Sequence, residues 1–448
     1  MSRKRTILKG TFILTLTGFT TRFMGFFYRI FLSHTFGEEG VGLYQLIFPI
    51  YALGFSLTCA GVELALSRSV ARCMTKGQKK EARELLNAAM LLTISASFAV
   101  TLFLQKYADV IALRFLHDTR CAPLLVILSY LFPFAAVHSC ICGFYFGQKQ
   151  TRIPAVSHLI EQFIRIASVC LLYMYGLRHG ISFHISIAVA GLVAGEAASS
   201  VFCCRSVRIK TKERAALPSF LHNCAGHIKE LLFLSLPLTG SRVMLNILQS
   251  IEAVSIPLRL QLYGMTIKES VSTYGVLTGM ALPCILFPSA ITNSVSTMLL
   301  PTVAEIQTMK DHKKLTELVR KVTWSCILLG SVCCILLLTL GNWMGTTLFH
   351  SPTAGDFIET LAWMCPFLYT NNTLLSTING IGKTNLSFLI NAASLGIRIA
   401  GVFFLIPAFG IAGYLWGLLA SQLSVFFFCF FYLKYYISKQ EVWYSPFL

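Results

Sequence analysis

Along this chain, short charged runs alternate with apolar stretches of about 20–28 residues. At a rise of 1.5 Å per residue, each stretch is long enough to cross a hydrocarbon core of about 30 Å. Where no water is available, a helix is the element that satisfies its own backbone groups within one segment. Membrane-spanning strands would be about half as long and would alternate apolar with polar residues. The pattern therefore predicts twelve helices, near residues 9–33, 41–66, 85–104, 121–144, 156–177, 184–204, 230–257, 275–300, 321–341, 357–379, 386–406 and 411–433. The expected fold class is an all-α polytopic membrane protein. The first stretch follows Ser2-Arg-Lys-Arg5 and superficially resembles a secretory signal. It is too long for a signal core, contains Arg22 and Arg29, and lacks a small-residue exit site, so a retained helix is expected.

Composition sharpens this reading. Hydrophobic residues make up 55% and charged residues 12%, against roughly 25% charged in soluble domains. Of the 37 basic residues, 26 fall in one set of alternate segments, including Arg3 to Lys9, Arg68 to Arg83, Arg205 to Lys229 and Lys310 to Lys321. Lys and Arg concentrate on the cytoplasmic side, so both termini are expected there. The net charge of +18 is then mostly topological. A nucleic-acid partner is a poor reading, because the basic runs are short and lack interleaved aromatics.

The chain also resembles itself at an offset of 233 residues. Gly147-Gln-Lys-Gln-Thr151 with Arg165-Ile-Ala167 matches Gly380-Ile-Gly-Lys-Thr384 with Arg398-Ile-Ala400. At the same offset Gly42 meets Gly275, Val70 meets Val303 and Glu84 meets Glu317. The expected organisation is two pseudo-symmetric six-helix lobes, 1–204 and 230–433, joined by a cytoplasmic linker at 205–229 and followed by a cytoplasmic tail at 434–448. Transporters built from parallel repeats bind their cargo near the midplane, between the repeats.

Ionisable residues at bilayer depth are costly and usually face a cavity or one another. In the first helix Gly18, Arg22, Gly25 and Arg29 share one face, and in the seventh Ser235, Arg242, Asn246 and Gln249 do so. In the fifth, His158, Glu161, Gln162 and Arg165 line a face, with Glu161 and Arg165 in the favourable i, i+4 order. In the eleventh, Ser387, Asn391, Ser394 and Arg398 do likewise. The planar arginine fork suits phosphate and stays protonated when desolvated. Arg22, Arg29, Arg165, Arg242 and Arg398, with Asn246 and Gln249, are therefore the expected substrate-binding set for an anionic head group. The bland alternative is that Arg165 is neutralised by Glu161 and that Arg29 reaches outward to the interface. Glu63, Glu161, Glu196 and Glu252 are candidates for proton or cation coupling, or else partners of buried arginines.

Several motifs carry no chemistry on this reading. Gly380-Ile-Gly-Lys-Thr384 lacks the glycine that a phosphate-binding loop needs at Thr377 and follows a membrane span, so a helix–helix turn is expected. Most of the fifteen cysteines lie in spans as small apolar residues, and Cys140-x-Cys142 is not a zinc spacing. No metal, disulfide or cofactor is expected. The histidines are scattered and no nucleophile or paired-carboxylate set presents itself, so a transporter is expected rather than an enzyme.

Thr21-Arg-Phe-Met-Gly-Phe26 with Arg29, then Phe36-Gly-Glu-Glu-Gly-Val-Gly-Leu-Tyr44 and Pro49, resembles the N-terminal signature of the SpoVB-type flippases. These belong to the MOP superfamily of multidrug, oligosaccharidyl-lipid and polysaccharide exporters, which includes MATE exporters and the lipid II flippase MurJ. The resemblance implies two lobes around a central cavity, alternating access, and an undecaprenyl-pyrophosphate-linked saccharide as substrate. It implies that Arg22 and Arg29 hold the head group; Arg242 is assigned by the repeat alone. The implied partners are the lipid-linked oligosaccharide, membrane lipids, and a coupling cation or the membrane potential, with a monomer as the working state. The flippase branch commonly has fourteen helices, the last two forming a groove for the lipid tail, whereas twelve are counted here. A cation-coupled drug exporter therefore stands as the alternative of the same fold, and a membrane enzyme acting on lipid-linked sugars as the alternative of another class.

Overall fold

A computed structural model of the chain describes residues 3–180, 184–207, 217–309 and 312–444, and these residues contain helices and no strand. The helices are numbered here by expected span: α1 (Arg3–Leu46), α2 (48–75), α3 (Lys79–Arg114), α4 (119–147), α5 (Arg152–His179), α6 (Ser186–Ser206), α7 (Leu217–Leu262), α8 (267–308), α9 (312–348), α10 (352–380), α11 (Thr384–Phe409) and α12 (Ile411–Tyr444). Among the described residues, eight helices are long and apolar enough to cross a membrane, or up to ten if each of two bent pairs is one span. One of the eight, Thr15–Thr75, has 61 residues; at about 90 Å it is far too long for one crossing. Its backbone leaves the helical region at Gly37 (φ 66°), a conformation that glycine adopts without steric cost. The helices on either side of Gly37 can each be a separate crossing, and α10 (352–380) is helical without being among these candidates.

Helices run past the apolar windows into the charged flanks, because Lys, Arg and Glu are good helix formers once the chain has left the hydrocarbon. Residues 208–216 of the expected linker and 445–448 of the expected tail lie outside the described residues, as does Lys310. From Leu217 onward the remaining linker residues are the first turns of α7, and 434–444 continue α12.

Among the described residues, a π-helical turn interrupts α2 at Ser56–Ala60, α8 at Val276–Ala281 and α11 at Gly401–Leu405, and another ends α9 at Met344–Leu348. Such turns break the i to i−4 ladder and release backbone groups to outside partners. Two helices bend sharply, α4 by 44° and α8 by 59°. The break in α8 comes immediately before Pro288 and Ser289, where proline cannot donate to the ladder.

The chain packs as two compact units. Unit 1 is Met1–Tyr28 with Leu43–Val254, and unit 2 is Arg29–Gly42 with Ser255–Leu448. Unit 1 has a core of Val62, Leu66, Val70, Leu85, Ala89, Phe144 and Leu231. In unit 2, Leu374, Ile378, Val425 and Leu433 form one cluster, and Leu299, Val303, Ile306 and Leu315 another.

The sequence repeat is a repeat of contacts. In unit 1 a Cβ on Gly147 would stand 2.7 Å from the Ser67 carbonyl oxygen and 2.7 Å from Val70 Cβ. In unit 2 a Cβ on Gly380 would stand 2.9 Å from the Leu300 carbonyl oxygen and 2.8 Å from Val303 Cβ. All three positions differ by 233 residues, so both halves close their second and fourth helices on the same glycine. Membrane helices gain little from hydrophobic burial against lipid, so close approach at small residues is what holds them. The same register places the hydroxyl of Thr93 3.1 Å from the Cys140 sulfur. In the other half Cys326 and Thr373 are again hydrogen-bonded, with the residue types exchanged.

Gly147→Val and Gly380→Val should each force these backbones apart, an overpacking cost of about 1–3 kcal/mol. Gly396 is a helical glycine with nothing within 4 Å of an added Cβ, so Gly396→Ala should be neutral or slightly stabilising. Thermal melts of the detergent-purified variants check both expectations.

Candidate functional site

Within unit 1, glycines draw four helices together in two close pairs, and these helices carry a cluster of ionisable side chains. An added Cβ on Gly143 of α4 would lie 2.7 Å from the carbonyl oxygen of Glu63 on α2. One on Gly195 of α6 would lie 2.6 Å from the carbonyl oxygen of Glu161 on α5. These contacts bring Glu63, Glu161 and Glu196 around His138. The His138 imidazole is 4% exposed, with Nδ1 2.8 Å from Glu196 Oε1 and Nε2 3.0 Å from Ser157 Oγ. His158 Nδ1 lies 3.5 Å from Glu161 Oε2, and Arg165 donates to the other oxygen of the same carboxylate. The Arg165 Nε is buried without a hydrogen-bond partner.

Glu63, His138, His158, Glu161 and Glu196 line a cavity of about 90 Å³ together with Tyr51, Phe55, Ser139 and Cys142. The volume admits more than one water molecule. Three carboxylates, one guanidinium and two imidazoles meet in and beside this cavity, and in a low-dielectric interior an unbalanced charge among them is expensive. Two triads here could hold a metal ion, His138 with Cys142 and His158, and His138 with Glu161 and Glu196.

The remaining sequence-derived candidates fall in several places. Arg22 and Arg242 are exposed, on α1 and α7 of unit 1. Asn246 is part-buried and donates to the Ala52 carbonyl at 3.2 Å and to Ser56 Oγ, next to the π-helical turn of α2. Gln249 is exposed and Glu252 is buried at 3%. Arg29 belongs to unit 2, where its Nη1 donates to the Thr278 carbonyl at 3.0 Å. That carbonyl lies in the π-helical turn of α8. Arg398 is half-buried in unit 2, where Ser394 on the same helix bonds Ser421. The structure thus brings Glu63, Glu161 and Glu196 to one cavity, with Arg165 paired to Glu161 beside it and Arg242 close enough to Glu63 for their charges to interact. Arg22, Glu252 and the unit 2 arginines are not among its lining residues.

The model of the polysaccharide biosynthesis protein family matches residues 7–307 of the chain. The chain belongs to this family. Stage V sporulation protein B of Bacillus subtilis (strain 168) is 29% identical over 92% of the chain and 80% of its own length. The lipid II flippase MurJ of the same organism is 26% identical over 36% of the chain and 31% of its own length. Two solved structures share the fold. One is an inward-facing multidrug resistance MATE family transporter of the MOP superfamily, with TM-score 0.73, 14% identity, and 98% and 99% of the two chains covered. The other is the lipid II flippase MurJ in an inward closed conformation, with TM-score 0.72, 16% identity, and 94% and 87% covered. This family member has several helices able to cross a membrane and shares the fold of the MATE and MurJ structures.

Sequence reasoning missed His138, Ser157 and Cys142. The signal available was an ionisable residue inside the apolar α4 with a cysteine four residues on. At the repeat position of His138, 233 residues on, stands Asn371. It donates to the Gln422 carbonyl and side chain at 2.9 Å each, again joining the fourth helix of its half to the sixth.

Glu161→Ala should leave the Arg165 guanidinium buried and unmatched, at a cost of about 3 kcal/mol or more. The double change Glu161→Leu with Arg165→Met should recover most of that loss. Thermal denaturation of the two variants beside wild type gives the comparison; equal losses in both would show that the pair contributes no coupling.

Proposed function

We propose that the chain is a flippase that carries an undecaprenyl-pyrophosphate-linked saccharide, a peptidoglycan or polysaccharide precursor, across the cytoplasmic membrane by alternating access. The observation that supports this best is the placement of Arg22 and Arg242, exposed near the middle of the apolar stretches 9–33 and 230–257. An arginine turned to hydrocarbon costs about 2.5–3.5 kcal/mol on insertion scales, so these two side chains favour water or an anion. A pyrophosphate offers each guanidinium a pair of charge-assisted hydrogen bonds. The cargo's tail remains in lipid, so the protein lowers a barrier only for the polar head.

Relatives named for sporulation and for lipid II flipping support the same cargo class. Arg29 and Arg165 are engaged with a carbonyl and a carboxylate, which suits them to positioning helices around the head group. Asn246 and Gln249 add polar groups to the Arg242 face of α7 in this reading, and Arg398 is a further candidate contact for the head group. Glu63, Glu161 and Glu196, gathered on the two histidines, are the coupling groups, with Glu252 held in reserve as a buried carboxylate. A coupling cation or the membrane potential supplies the drive, and a single chain is the working unit.

Arg22→Ala and Arg242→Ala should each abolish complementation of a flippase-depleted strain while membrane levels stay near wild type. Wild-type growth with both variants would remove these residues from the site. In proteoliposomes, fluorescent lipid-linked saccharide should move and a cationic dye should not; dye efflux alone would replace the flippase with a drug exporter.

A further inference from the structure

We propose that α4 and α5 of unit 1 build a binding site for a divalent transition-metal ion of the zinc type, with His138, Cys142 and His158 as ligands. One ring nitrogen of each histidine and the Cys142 sulfur lie within 4.8 Å of one another. His138 and Cys142 are four residues apart on one helix, so they share a face. Zinc bonds of about 2.0–2.3 Å place tetrahedral ligands roughly 3.5 Å apart, within reach of small side-chain rotations from this arrangement.

The surroundings match what metal-bound histidine requires. Metal-bound imidazoles characteristically give their second nitrogen to a carboxylate, which fixes tautomer and orientation. Both histidines have that partner on Nδ1: Glu196 at 2.8 Å for His138 and Glu161 at 3.5 Å for His158. The second nitrogen of each ring is thereby turned away from its carboxylate, and on His138 the ion would take the place of the Ser157 hydroxyl that Nε2 meets at 3.0 Å. His138 Nε2 and Cys142 Sγ converge on the same hydroxyl, Ser157 Oγ, at 3.0 and 3.6 Å. Ser139, 6% exposed, lines the same cavity.

Ligand chemistry decides the class of ion. Imidazole and thiolate are the ligands of zinc and its neighbours, whereas magnesium and calcium take oxygen. The side chain of His158 is 50% exposed, against 5% for His138, so the ion enters past His158. Once seated, it ties α4 to α5.

The test uses the full-length protein in detergent, dialysed against Zn²⁺ and assayed for bound metal, with Co²⁺ as the spectroscopic substitute. The expected result is one ion per chain and a sulfur-to-cobalt charge-transfer band. Cys142→Ser should lose the band, and His158→Ala should lose the ion. Cys204→Ser, at an exposed cysteine outside the site, should retain both. Glu196→Gln should weaken binding about 10–100-fold. Full stoichiometry in His158→Ala, or no bound ion in wild type, would overturn the site; the half-exposed His158 ring keeps the first comparison available even if Cys142→Ser fails to fold. None of these readouts depends on cargo, so the site stands or falls apart from the flippase reading.

Discussion

Inside a bilayer every backbone N–H and C=O must find a partner within the protein, and this constraint organises the whole molecule. It makes each span a helix, and it turns every departure from helical bonding into an opening that something else must fill. The π-helical turn at Val276–Ala281 illustrates the rule. The Thr278 carbonyl inside it accepts the Arg29 guanidinium, so a released acceptor and a costly buried charge resolve each other. In α2, Asn246 from α7 binds beside the π-helical turn Ser56–Ala60 in the same manner.

The constraint acts together with a second one, the absence of a strong hydrophobic drive between helices surrounded by lipid. Glycine supplies the closeness that burial does not. Gly143 and Gly195 bring α2 to α4 and α5 to α6 at backbone distance, and the ionisable cluster exists because of that approach. Large residues at these positions would hold the helices apart, and His138 would lose Glu196. Packing and chemistry here share the same atoms.

The spans were legible in the sequence because a stretch of twenty apolar residues is a strong local signal, and the repeat was legible through glycines that turned out to make matching contacts. Glu161 with Arg165 could be read from helical spacing alone. His138 could not, because its carboxylate stands 58 residues away and its hydroxyl partner 19; only folding brings them together. The same holds for Arg29, whose partner is a main-chain oxygen 249 residues on, invisible to any reading of side-chain types. Cys142 looked like filler because its role depends on a neighbour in another helix.

The fourth-to-sixth helix bridge has diverged between the halves. In the first it is an imidazole on a carboxylate, His138 with Glu196; in the second it is two amides, Asn371 with Gln422. Amides do not titrate and attract cations weakly, whereas an imidazole on a carboxylate is a pair of ionisable groups. A duplicated scaffold has in this way become chemically lopsided, ionisable at this bridge in one half and neutral in the other.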